Sequence, residues 1–184
     1  MKKTILTFGL ISGAVSSLMM VATVPFMHQI GFDKGYYVGY TAIVLSFLLV
    51  FFGIRSYRDN VGHGQITFAK GFAVGILITL ISCAFYVGTW EILYFTVLHD
   101  NFMDKYGAYM MEKLKASGAS AAAVQAQVQK LAEFKAMYEN PFYNIAMTFI
   151  EPFPVGLVIT LISATVLRKK PQAQMVQTPM AAAR

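Results

Sequence analysis

Residues 100–141 read DNFMDKYGAYMMEKLKASGASAAAVQAQVQKLAEFKAMYENP, a polar run of Ala, Lys, Glu and Gln set between two long apolar ones. The flanks, residues 71–98 and 142–167, each exceed the roughly 20 apolar residues that a helix needs to cross a bilayer. Each flank carries one carboxylate, Glu91 and Glu151. This half of the chain therefore reads as span, extramembrane helical insert, span, with an acid in each flank.

Within the insert, Met103, Tyr106, Met110 and Leu114 recur at helical spacing, as do Val124, Val128, Leu131 and Tyr138. Ser117-Gly118-Ala119-Ser120 interrupts the pattern: Gly118 suits a helix end and Ser120 an N-cap. The insert is expected to be a helical hairpin whose two stripes, Val128 and Leu131 included, bury each other. Its charges cancel, with Lys105, Lys113, Lys115, Lys130 and Lys135 set against Asp100, Asp104, Glu112, Glu133 and Glu139. A face without net positive charge is a poor binder of nucleic acid or anionic lipid, so a spacer or partner-binding role fits better.

Working outward, two further apolar runs cover residues 4–27 and 36–54. Four spans in 184 residues, with 57% apolar and 13% charged composition, place the chain as an integral membrane protein of all-α class, a four-helix bundle. Residues 1–170 form a single membrane domain, and 171–184, rich in Gln, Ala and Pro, a disordered tail. The start resembles a secretory signal, but its apolar run far exceeds the usual length and no Ala-x-Ala site follows, so it is expected to be retained as a span. The single cysteine, Cys83, lies in mid-span and excludes a disulfide framework.

Small residues recur at helical spacing in three spans: Gly9, Gly13 and Ser17; Gly39, Ala42, Ser46 and Gly53; Gly71, Gly75, Thr79 and Ser82. Such stripes let helices approach closely where no hydrophobic effect drives them together. Tyr36, Tyr37, Tyr40, Tyr86, Trp90, Tyr94, Phe95, Phe142 and Tyr143 read as an aromatic belt at one interface. The loop after span two carries a Gly62/Gly64 turn signal, and residues 65–70 are amphipathic enough to lie in the interface. No phosphate-binding spacing is present in that loop.

Basic residues set the orientation. Lys2, Lys3, Arg55, Arg58, Lys70, Arg168, Lys169 and Lys170 fall on one side, and Lys34 with the insert lysines on the other. The clusters at the first span and after the last put both termini in the cytoplasm and the insert outside.

Several segments together carry a resemblance. They are GQITFAKGF at 64–72, Trp90-Glu91, MEKLKASGAS at 111–120, Glu139-Asn140-Pro141 and EPFPVG at 151–156, set in four spans. The chain resembles, over residues 1–170, the bacterial membrane family known as domain of unknown function 4199. The resemblance implies a bacterial inner-membrane protein with no assigned activity, and no catalytic residue carries over from it.

The polar groups inside the spans are what remains for mechanism. Ionisable residues at membrane depth are costly and commonly have a partner or a purpose. Asn144, Thr148 and Glu151 share one face of the fourth span, and Pro152 and Pro154 strip the carbonyls of Thr148 and Ile150 of their usual helical donors. The candidate intramembrane polar site is thus Glu91, Asn144, Thr148 and Glu151. Against it stands the position of Glu91, about 160° around the helix from Gly75 at ~100° per residue. The plainer alternative is that each acid is protonated, or reaches the interface, and simply bonds a neighbouring helix. Histidines 28 and 99 fall near the same edge, but no ligand spacing links them, so no metal or other cofactor is expected. Two function classes follow. One is a non-enzymatic scaffold that binds another protein through the hairpin. The other is a small proton- or ion-coupled carrier, assembled as a homo-oligomer, that works through Glu91 and Glu151. An enzyme is not expected, since no nucleophile–base pair is visible.

Overall fold

The computed structural model describes residues 1–98 and 101–169, apart from the side chains of residues 25, 27 and 28. Among the described residues the chain is helical: α1 (Lys2–Thr23), α2 (Met27–Asn60), α3 (Phe68–Leu93), α4 (Phe102–Ala116), α5 (Ala121–Tyr138), α6 (Pro141–Ile150) and α7 (Pro152–Val166). Four stretches are long and apolar enough to cross a membrane: Lys2–Thr23, Gln29–Asn60, Phe68–Leu98 and Pro141–Val166.

The burial pattern is the reverse of a water-soluble bundle. Ser12, Ser16, Ser46, Thr79, Ser82, Thr160 and Ser163 are buried, while Leu6, Leu10, Leu45, Leu48, Leu77, Val158 and Ile162 are exposed. Small and hydroxylic residues at the contacts with large apolar ones outside suit a solvent of hydrocarbon, where close packing and hydrogen bonds hold helices together. Buried aliphatic residues still fill one end of the interior, around Ile54, Val74 and Ile78.

Helix α3 lies at the centre and touches α1, α2, α6 and α7. The first small stripe receives it: a methyl group on Gly9 would stand 2.9 Å from Ile81 Cβ, and one on Gly13 2.7 Å from Phe85 Cβ. Thr89 donates to Ser17 across the same seam at 2.7 Å. The α3–α7 seam pairs Gly71, Gly75 and Thr79 with Ala164, Thr160 and Gly156, and the two threonine hydroxyls meet at 3.0 Å. Of the second stripe, Ala42, Ser46 and Gly53 are packed, but Gly39 has open space around it.

Boundaries differ from the sequence reading where a single residue bends a helix. The expected connection between spans one and two is helical almost throughout, interrupted by a 3₁₀ turn (Val24–Phe26) and by Gly31, which at φ +74° kinks the start of α2. Residues 65–70 are divided between the turn and the first residues of α3, which begins at Phe68. Ile66 exchanges backbone hydrogen bonds with Lys169, tying the end of α7 to the α2–α3 turn. Thr67 then caps α3 by accepting from the Lys70 N–H. The last span bends at Glu151, where Pro152 supplies no N–H and Thr148 O receives only a long bond, 3.4 Å, from Glu151 N.

Helices α4 and α5 lie side by side in antiparallel register. Gly118, at φ +76°, ends the first, and Ser120 accepts from Ala123 N–H to start the second. Lys135 pairs with Asp104 across the seam, and Leu131 reaches Gly107. The stripe on α5 runs through Val124, Gln127, Leu131, Phe134 and Tyr138, each half-buried, whereas Val128 is 53% exposed. Of the expected stripe Val124, Leu131 and Tyr138 lie on this face, and only Val128 falls off it, its place taken by the polar Gln127.

Candidate functional site

The base of the insert meets the bundle in an aromatic knot. Tyr86, Trp90 and Tyr94 recur every fourth residue and so share one face of α3. Trp90 lies 6.0 Å from the Tyr94 ring and edge-on to Phe102 of α4 at 5.2 Å. Tyr94, 1% exposed, also meets Tyr138 of α5 edge-on at 5.2 Å. The belt reading therefore divides. Tyr36, Tyr37 and Phe142 are exposed, as interface residues should be, whereas Trp90 and Tyr94 are packing residues.

A second attachment lies on the first turns of α2. Asp33 accepts from Tyr109 and, at 2.8 Å, from Lys113, while Phe32 packs on Tyr106 and Tyr109. These bonds raise the Lys113 ammonium pKa, Asp33 being the largest cause. The Asp104 carboxylate likewise raises that of Lys135.

Polar groups gather beneath the knot. Trp90 Nε1 donates to both Tyr138 Oη and Asn144 Oδ1 at 3.1 Å. Thr148 Oγ1 donates to the same Asn144 oxygen at 3.1 Å, and Asn144 Nδ2 donates back to the Tyr138 carbonyl at 3.2 Å. Asn144 is fully buried and uses both ends of its amide, so this network fixes α3, α5 and α6 to one another. Burial pushes the Tyr138 phenol up to about 12. One turn further along, at the proline bend, Tyr86 Oη donates to Glu151 Oε2 at 3.1 Å; Glu151 itself is exposed at the bundle surface.

The structure thus joins Asn144 and Thr148, sets Glu151 on Tyr86 beside them, and places Glu91 elsewhere. Glu91 opens onto a cleft between α3 and α6 whose α6 wall is Ile145, Ala146, Phe149 and Ile150. At ~100° per residue those residues lie on the far side of α6 from Asn144, Thr148 and Glu151. No hydrogen bond links the two acids among the described residues, and Glu91 Oε1 is buried without a partner. A shared Glu91–Glu151 site does not form in this arrangement, because α3 turns its Tyr86–Trp90 face, not its Glu91 face, toward Glu151. Of the two histidines, His99 and the side chain of His28 lie outside the described residues.

Trp90, Tyr138 and Tyr86 were absent from the sequence-derived set. The i, i+4, i+8 spacing of Tyr86, Trp90 and Tyr94 marks a single face, and it would have pointed to them had they not also suited a belt. The hydrogen bonds of the cluster tie α3, α5 and α6 together, and its acid accepts from the Tyr86 phenol.

No curated protein and no solved structure is significantly similar to this chain. The family described as protein of unknown function (DUF4199) matches residues 7–169, and the protein belongs to it.

Proposed function

We propose that the protein is a non-enzymatic scaffold of the bacterial inner membrane that binds another protein through its periplasmic hairpin. The observation that carries the reading is the contrast between the two sides of the α4–α5 pair. Its base is anchored by Trp90, Tyr94, Phe102, Tyr138 and the Asp33–Lys113 pair. Its outer side leaves Met137 exposed at a groove of about 380 Å³ lined by Met110, Leu131 and Phe134, with Gln127, Lys130 and Glu133 along its edge. A rigidly mounted groove with methionine and aromatic walls suits a partner helix laid along it.

Orientation in this reading follows the basic clusters, with both termini cytoplasmic. A reporter fused after residue 184 should be active in the cytoplasm; activity confined to the periplasm would reverse the assignment. Partner binding is tested by affinity isolation from native membranes with wild type, Met137→Lys and Glu151→Gln. One protein should be retained by wild type and Glu151→Gln and lost with the lysine variant. Retention by all three would refute the groove.

A second reading, a small proton- or ion-coupled carrier, draws support from the Tyr86–Glu151 pair at a proline bend with a weakly bonded Thr148 carbonyl. It predicts proton-dependent flux in liposomes that Glu151→Gln abolishes. Flux indistinguishable from empty liposomes would remove it.

A further inference from the structure

The proline bend opens a space that the scaffold reading does not use. Helices α2 and α7 run in the same sense, since both end at the α2–α3 turn. The α2 stripe of Ile43, Phe47, Val50 and Ile54 is buried in the bundle. At ~100° per residue that stripe continues upward through Tyr36, Gly39 and Tyr40. There the packing stops: Tyr36 is 60% exposed, and nothing lies within 4 Å of a methyl group placed on Gly39. Below the bend α2 packs along α7, whereas above it α2 does not pack along α6 in the same way. The two helices part at Glu151 and Pro152 and leave a wedge open toward the insert side.

Glu151 stands at the bottom of this wedge. Gly156 lies against Phe47, a methyl group there being 3.0 Å from its ring. Glu151, one and a half turns before Gly156, is then level with about Ala42 and roughly 9 Å below Tyr36. Tyr86 of α3 donates to its Oε2 at 3.1 Å, and the phenols of Tyr40 and Tyr138 lie within electrostatic reach of it. The Tyr36 ring, 4.5 Å from that of Tyr40, carries the aromatic wall on toward the interface. Among the described residues Glu151 Oε1 makes no hydrogen bond, and no lysine or arginine pairs with this exposed carboxyl group.

A carboxyl group exposed at membrane depth is costly unless a counter-charge comes to it. A metal cation would need about six oxygens in place of its water, and here one carboxyl group and one phenol converge. A cation whose charge is already wrapped in hydrocarbon needs no such shell, and it is attracted to the faces of tyrosine rings. We propose that the wedge binds an organic ammonium ion entering from the leaflet on the insert side, its charge at Glu151 and its apolar groups against Tyr36 and Tyr40. The proposal rests on the same site as the carrier reading and gives that reading a class of cation; binding itself requires no transport.

Benzyltrimethylammonium, a quaternary cation with one aryl group, is titrated calorimetrically into the full chain in detergent micelles. Wild type should bind it saturably. Glu151→Gln, which keeps an acceptor for Tyr86, should weaken binding by about tenfold or more, and Tyr40→Leu by about threefold. Gly39→Leu grows into the open wedge and should abolish binding while leaving every charged group in place. Glu91→Gln, at the other acid of the spans, should bind as wild type does, and all four variants should keep the helical circular dichroism of wild type. The absence of saturable binding to wild type would overturn the proposal, as would undiminished binding to Glu151→Gln or to a folded Gly39→Leu. Displacement of the probe by an equal concentration of sodium would assign the wedge to a metal cation and overturn it also. Binding in micelles without flux in liposomes would uphold the site and remove the carrier reading alone.

Discussion

Replacing Gly156 by alanine adds one methyl group at the tightest point of the α3–α7 seam. That methyl would stand 3.0 Å from two carbons of the Phe47 ring and closer still to the Thr79 methyl. Neither neighbour can withdraw easily. Phe47 is 2% exposed, and the Thr79 rotamer is held by its hydroxyl contact with Thr160 at 3.0 Å. The seam must then open by some tenths of an ångström along its length, loosening Gly75 against Thr160 as well. Overpacking of this kind costs about 1–3 kcal/mol. Gly39→Ala makes the same chemical change where no atom lies within 4 Å of the new methyl group. There the gain in helix propensity alone should act, about 0.5–1 kcal/mol of stabilisation. Unfolding in mixed micelles of rising dodecyl sulfate content, followed by circular dichroism, separates the two. Shifts of the same sign, or a Gly156→Ala protein as stable as wild type, would refute the seam as described.

Asn144→Leu takes the acceptor from Trp90 and Thr148 and the donor from the Tyr138 carbonyl. It should cost about 2–4 kcal/mol in the same assay, more than Asn140→Ala, which removes only the cap bond to Phe142 N–H and costs about 1 kcal/mol; the reverse order would contradict the network. Because Asp104 raises the Lys135 pKa, less of this amine is neutral at pH 10 than without that carboxylate. An amine reagent should therefore label Lys135 more slowly in wild type than in Asp104→Asn. The pair's contribution to docking is complete below the unfolded lysine pKa and is lost only as pH rises through the higher folded value. Cysteines at Val128 and Met103, 53% and 6% exposed, should react quickly and slowly respectively with a water-soluble maleimide. Equal rates would mean that the insert does not pack as described.

The fold was largely legible because its signals are long. Four apolar runs outlast any soluble helix, and small residues at every fourth position mark where backbones can meet. The readings that failed rest on shorter or ambiguous signals. Trp90 and Tyr94 have the same amphipathic chemistry whether they face headgroups or pack under an insert, and only the partners Phe102 and Tyr138 decide between them. Val128 and Gln127 flank the line through Val124, Leu131 and Tyr138 on opposite sides, and polarity pointed to Val128 where the half-buried side takes Gln127. The polar site was half visible for a related reason. Asn144, Thr148 and Glu151 share a face of one helix, which periodicity reports, but the rotation of α3 relative to α6 is a tertiary fact that no single-helix pattern contains. That rotation sends Glu91 into its own cleft.

A partner-binding role requires the outer side of the insert to touch a protein. A photo-activatable residue placed at Lys130 or Met137, both lining the groove on α5, and irradiated in living cells addresses this directly. One discrete adduct of constant mass should form from both positions and be absent when the probe sits at Leu48, on the outward face of α2. Adducts with lipid or with a second copy alone, or no adduct from either insert position, would contradict a partner-binding role.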